Sequence, residues 1–81
     1  MQITVRLHAS LKKYEPAGVK GGPIAVIVDD GATVADVLAR LEIPLAHAKM
    51  IVSNNEHIDA TAVLRDGQHV DLYPPMAGGA L

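Results

Sequence analysis

The chain has no cysteine, phenylalanine or tryptophan, and its 2% of aromatic residues are two tyrosines, Tyr14 and Tyr73. Without cysteine, disulfides, thiolate zinc sites and cysteine nucleophiles are excluded together, and stability must come from packing. The core must be aliphatic, and platforms for stacking nucleic-acid bases are almost absent. An excess of one charge is missing too. Seven Lys and Arg against nine Asp and Glu leave a formal charge of -2, which offers no electrostatic footprint for nucleic acid or an anionic membrane. No apolar run approaches the roughly 20 residues of a membrane span, and residues 1–6 lack the basic stretch and apolar run of a secretory signal. A cytoplasmic location is expected, with neither nucleic acid nor membrane as partner.

What is present is enough for one fold. The 81 residues are 49% hydrophobic and 20% charged, a globular balance for a single domain. A domain of this size buries only about 60–65% of its unfolded surface, so an enclosed active site is not expected. Function should sit on the surface or at a terminus.

Ile3, Val5 and Leu7 alternate with Gln2, Thr4, Arg6 and His8, the period of a half-buried strand. Leu11–Tyr14 reads as a helical turn. Residues 15–23 then hold three Gly and two Pro, the composition of a loop, in which Lys20 is a candidate contact or conjugation site. The β-branched run 24–28 predicts a second strand, antiparallel to the first, ended by a turn at Asp29-Asp30-Gly31. Thr33 and Asp36 have the spacing of an N-terminal capping box, and Val34, Val37, Leu38 and Leu41 form one apolar stripe. This predicts a helix ending near Glu42, because Ile43 precedes Pro44. Residues 50–53 predict a third strand, Asn54-Asn55 a turn, 57–58 a brief strand, Asp66-Gly67 a tight turn and 68–73 the last strand. One amphipathic helix over one face of a mixed sheet is an α+β arrangement.

After Tyr73, two prolines remove backbone donors and bar further pairing, so residues 76–81 should leave a domain of residues 1–75 as an extended tail. Fully stretched, Pro75 to Gly79 spans roughly 16 Å. Gly78 and Gly79, without Cβ atoms, can enter a slot too narrow for other residues.

The stretch from Leu64 to Gly79, L-R-D-G-Q-H-V-D-L-Y-P-P-M-A-G-G, resembles the C-terminus of the MoaD/ThiS family of ubiquitin-like β-grasp sulfur carrier proteins. Weaker matches are V-R-L-H-A-S-L at residues 5–11, D-G-A-T-V-A-D-V-L at 30–38, and V-S-N-N at 52–55, where the family often has V-N-G. The resemblance covers residues 1–79 and implies a β-grasp with a mixed sheet of four to five strands packed on one main helix. It also implies that the protein is a substrate, not an enzyme. In such carriers the terminal glycine carboxylate is adenylated by an enzyme of the ubiquitin-activating type, which consumes ATP, and sulfur from a donor then displaces AMP to give a thiocarboxylate. The carrier itself binds no cofactor. Carried over, Gly79 is the adenylated and sulfur-bearing residue, with Gly78, Ala77 and Met76 as its tail.

Ala80 and Leu81 follow the glycines, so Gly79 has no free carboxylate in the chain as written. Removal of these two residues by a protease cutting between Gly79 and Ala80, in the manner of the zinc metalloproteases that process related extensions, is therefore expected. Three other readings stay open: the small subunit of a molybdopterin synthase, a ubiquitin-like modifier of lysines, and a β-grasp binding module that never matures. The sulfur acceptor is open as well, thiazole in thiamine biosynthesis and the pterin of the molybdenum cofactor among them. His8, His47, His57 and His69 lack the spacing of a metal ligand set and read as surface residues. His69, Asp71 and Tyr73 share the outward face of the last strand beside the tail and are candidate contacts for the activating enzyme, with solvated polar positions as the alternative.

Overall fold

The structure, a computed structural model, describes residues 1–16 and 21–75. Five strands, β1 (Gln2–Leu7), β2 (Ile24–Ile27), β3 (Met50–Ser53), β4 (Glu56–His57) and β5 (His69–Tyr73), lie among them in the order β2-β1-β5-β3-β4. β1 and β5 run parallel at the centre, and the other pairs are antiparallel. The alternation along β1 places Ile3, Val5 and Leu7 against the core, where Val26, Ile51, Val70 and Leu72 from the neighbouring strands join them. Helix α1 (Val34–Arg40) covers this face with Val34, Val37 and Leu38, all buried. The architecture is the α+β ubiquitin-like β-grasp, with five strands on one main helix.

The capping box forms as the spacing predicts. The Thr33 hydroxyl accepts the Asp36 N–H, and the Thr33 N–H donates to the Asp36 carboxylate at 2.8 Å. The far end differs from expectation. α1 stops at Arg40, two residues early, and Leu41 is a half-buried C-cap. Glu42 takes a left-handed conformation with φ 59, so that its N–H reaches the Ala39 carbonyl and the Ile43 N–H reaches Leu38, at 3.1 and 2.9 Å. This is a Schellman closure with a glutamate where glycine is usual, and Ile43 and Leu38 are both buried beneath it. The backbone hydrogen bonds, rather than the proline two residues on, end the helix.

Other boundaries shift by one residue. β2 ends at Ile27, although Val28 still exchanges hydrogen bonds with Met1 at 2.6 and 2.9 Å. β4 is Glu56–His57 because Asn54 and Asn55, both at positive φ, close the turn so that Ser53 faces Glu56. The expected helical turn after β1 is a 3-10 helix, Ala9–Tyr14, with Leu11 driven into the core, and a second spans Leu45–His47.

The Asp66-Gly67 turn sets the register of the central pair. Gly67, at φ 82, donates its N–H to the Gln2 carbonyl at 2.7 Å, and the Asp66 carboxylate accepts the Gln2 N–H at 2.8 Å. β5 is thereby pinned beside the start of β1, and Arg6 falls opposite Asp71. Ser53, the buried polar side chain, is satisfied by donating to the His69 carbonyl and accepting from Gln68. β5 leads through buried Pro74 to exposed Pro75 at the end of the sheet where β1 finishes.

Candidate docking face and tail root

The sheet face opposite α1 is built by the odd residues of β5 and the even residues of the strands beside it. His69, Asp71 and Tyr73 share this face, as their alternation predicts. The parallel register adds Arg6 opposite Asp71, and the antiparallel one adds Val52 opposite Asp71 and Met50 opposite Tyr73. Met50 and Val52 are half-buried while Ile51 is buried, which assigns the outward positions of β3.

His8, one residue beyond β1, completes the cluster. Its Nε2–H donates to Asp71 Oδ1 at 2.9 Å, since an ionised carboxylate only accepts. Its ring lies flat on Tyr73, with centroids 4.3 Å apart and planes 9° from parallel. The backbone supports this placement, because the His8 N–H donates to the Leu72 carbonyl at 3.1 Å. Tyr73, Met50 and Val52 line the β5–β3 side of the face with apolar surface, and Arg6, His8 and Asp71 line the β1–β5 side with polar groups. His69 lies lower on the face, opposite Thr4, and stays exposed.

Sequence alternation identifies Asp71 and Tyr73 but not their partner His8, which reads only as a surface histidine. The missing signal is the pairing of strands 63 residues apart. Among the described residues, no group of three or more His, Cys, Asp or Glu side chains is placed to hold a metal, and no helix is long and apolar enough to cross a membrane.

At the end of the sheet where β5 finishes, a groove of about 170 Å³ is lined by Ser10, Lys13, Tyr14, His47, Pro74 and Pro75. The Tyr14 hydroxyl and His47 Nδ1 are 2.9 Å apart, and Lys13 Nζ lies 5.4 Å from the Tyr14 ring centre. The predicted carrier and processing residues Met76, Ala77, Gly78, Gly79 and Ala80 fall outside the described residues, as does Lys20.

Comparison with known proteins follows this geometry. The family profile described as Mut7-C ubiquitin matches residues 1–78. Among solved structures, SAMP1 from Haloferax volcanii is 25% identical, with coverage of 98% of this chain and 100% of that one and a TM-score of 0.73. The HVO 2177 protein of the same organism is 28% identical over 98% of this chain and 87% of its own, also at 0.73. A protein described as molybdopterin converting factor subunit 1 from Pyrococcus furiosus shares the fold at a TM-score of 0.68, with 20% identity over 91% of this chain and 97% of that one. No curated protein matches the chain in sequence. These relatives are small ubiquitin-like proteins, and the resemblance drawn from residues 64–79 is borne out in family and fold. The chain belongs to the Mut7-C ubiquitin family and is built as a ubiquitin-like β-grasp.

Proposed function

We propose that the protein is a cytoplasmic sulfur carrier whose working end is Gly79, exposed by removal of Ala80 and Leu81. The observation that carries this reading is the junction of fold and tail. β5, the middle strand of the sheet, ends at Pro74-Pro75 at one end of the sheet, and Met76-Ala77-Gly78-Gly79 follow in the sequence. A tail leaving from a central strand keeps the folded body behind it while its glycines enter a partner's narrow site.

The chemistry needs no side chain from this chain. A carboxylate is a poor electrophile; attack of the Gly79 carboxylate on the α-phosphorus of ATP forms an acyl-adenylate and releases pyrophosphate. Sulfide-level sulfur from the donor then attacks the acyl carbon, displaces AMP and leaves the thiocarboxylate. The adenylating enzyme, the sulfur donor, the processing protease and the synthase that accepts the sulfur are the partners this reading requires. ATP is consumed on the enzyme and is not a ligand of the carrier. The outward face around His8, Asp71 and Tyr73 is assigned to contact with the adenylating enzyme.

A second reading, a ubiquitin-like modifier joined to lysines through the same activated glycine, is favoured by the likeness to SAMP1, a small archaeal modifier protein. Both readings pass through adenylation. The test is ATP–pyrophosphate exchange by an adenylating enzyme from the same cells, with chains ending at Gly79 and at Leu81. Exchange with the shorter chain alone supports the proposal, and exchange with neither refutes it. High-mass lysine adducts in cells would favour the modifier.

A further inference from the structure

The two ends of the sheet carry opposite charge. At the end where β1 begins stand Asp29 and Asp30, just after Val28, together with Asp66 beside Gln2 and Glu56 opposite Ser53, four carboxylates against the exposed Arg65 next to Asp66. At the end where β5 finishes stand Lys12 and Lys13 in the Ala9–Tyr14 turn, and Lys49, whose N–H donates to the Tyr73 carbonyl at 3.1 Å. All three lysines are exposed. Among the described residues the one ion-pair contact is His8 with Asp71, so no described carboxylate lies against these lysines. Glu15, the nearby acid, directs both carboxylate oxygens at the Gly21 N–H. A chain of net charge -2 thus gathers cations around the root of its tail.

The groove of about 170 Å³ lies within this cationic end. Pockets for small molecules run roughly 300–1,000 Å³, so this one suits a single side chain rather than a nucleotide. Its polar lining, the Lys13 ammonium with the Ser10 hydroxyl, can donate to an oxygen acceptor.

We propose that this groove and the lysines around it dock an acidic surface of the protein that receives the tail, one Asp or Glu side chain entering the groove. The proposal deepens the carrier reading and rests on it for the partner's role. Opposite charge at the tail root turns the carrier tail-first during encounter. Steering of this kind raises association rates by roughly 10- to 1,000-fold and fades as salt shortens the screening length.

Two measurements decide it. In the first, the labelled full chain is titrated with a peptide of alternating Asp and Glu, and amide shifts are followed by NMR. Saturable shifts at Lys12, Lys13, Tyr14, His47 and Lys49, lost in a Lys12→Glu/Lys13→Glu/Lys49→Glu variant and kept in Arg65→Glu, are expected. No shifts, or shifts centred on Arg65, overturn the proposal. In the second, association with the adenylating enzyme is timed by stopped flow at rising salt. The triple variant should associate at least about tenfold more slowly at low salt, with the difference closing at high salt. Equal rates for both chains overturn the docking surface and leave the carrier reading standing. A Gly79-ending chain that is never adenylated, while the peptide still saturates the lysine face, defeats the carrier reading and leaves the acidic docking surface standing.

Discussion

His8 donates to Asp71 across 2.9 Å, joining the residue after the first strand to the middle of the last. The two side chains remain 32% and 36% exposed, so water competes for the bond and its removal should cost less than about 1 kcal/mol of stability. The pair instead holds an imidazole flat against Tyr73 on the outward face. His8→Ala and Tyr73→Ala should therefore leave the urea midpoint nearly unchanged while weakening binding to the adenylating enzyme by about tenfold or more, the usual effect of losing an aromatic anchor. Calorimetric titration beside urea unfolding checks both halves.

The capping box at Thr33 and Asp36 satisfies backbone donors that a seven-residue helix would otherwise leave to water. Thr33→Ala should lower stability by about 1 kcal/mol, and Thr33→Ser should retain most of it. Thermal unfolding of the two variants side by side separates loss of the cap from loss of the threonine methyl.

At the other end of α1, Glu42 sits at φ 59, a conformation that costs a residue with a Cβ about 1 kcal/mol or more. Glu42→Gly should stabilise the fold by about 0.5–1 kcal/mol, the relief of strain exceeding the added freedom of the unfolded chain. Glu42→Val should destabilise it, because a β-branched residue tolerates that region least. Urea midpoints that order Val, Glu, Gly from least to most stable are the expected result.

Much of this fold is legible in the sequence because single elements write their own period. The alternation of Ile3, Val5 and Leu7 and the stripe of Val34, Val37 and Leu38 name the core directly, and Thr33 with Asp36 marks the helix start. The end of α1 is not legible, since a left-handed glutamate carries none of the signal a glycine would. Nor is the outward site complete in the sequence. Asp71 and Tyr73 follow from alternation, but His8, Arg6, Met50 and Val52 reach them only through strand pairing set by the Asp66-Gly67 turn. The charge on the tail root is scattered among residues 12, 13 and 49 and becomes a feature only when the strands bring those ends together.

Leu72 is fully buried between the central strands and the helix. Leu72→Ala should cost about 2–5 kcal/mol, a large share of the stability of so small a domain. Gly78→Val, in the tail, should leave the urea midpoint of the wild-type chain unchanged and abolish activation by blocking a narrow entry. Loss of folding in the Gly78 variant would contradict the proposal that residues 76–81 lie outside the folded domain.

The central claim is that sulfur is carried on the backbone carboxyl of Gly79. Its most direct test is the intact mass of chains ending at Gly79 and at Leu81, each incubated with an adenylating enzyme, ATP and a sulfur donor. The account predicts exchange of one oxygen for sulfur in the shorter chain and none in the longer. An unchanged mass for the Gly79 chain, under conditions where the same enzyme converts its own carrier, would contradict it.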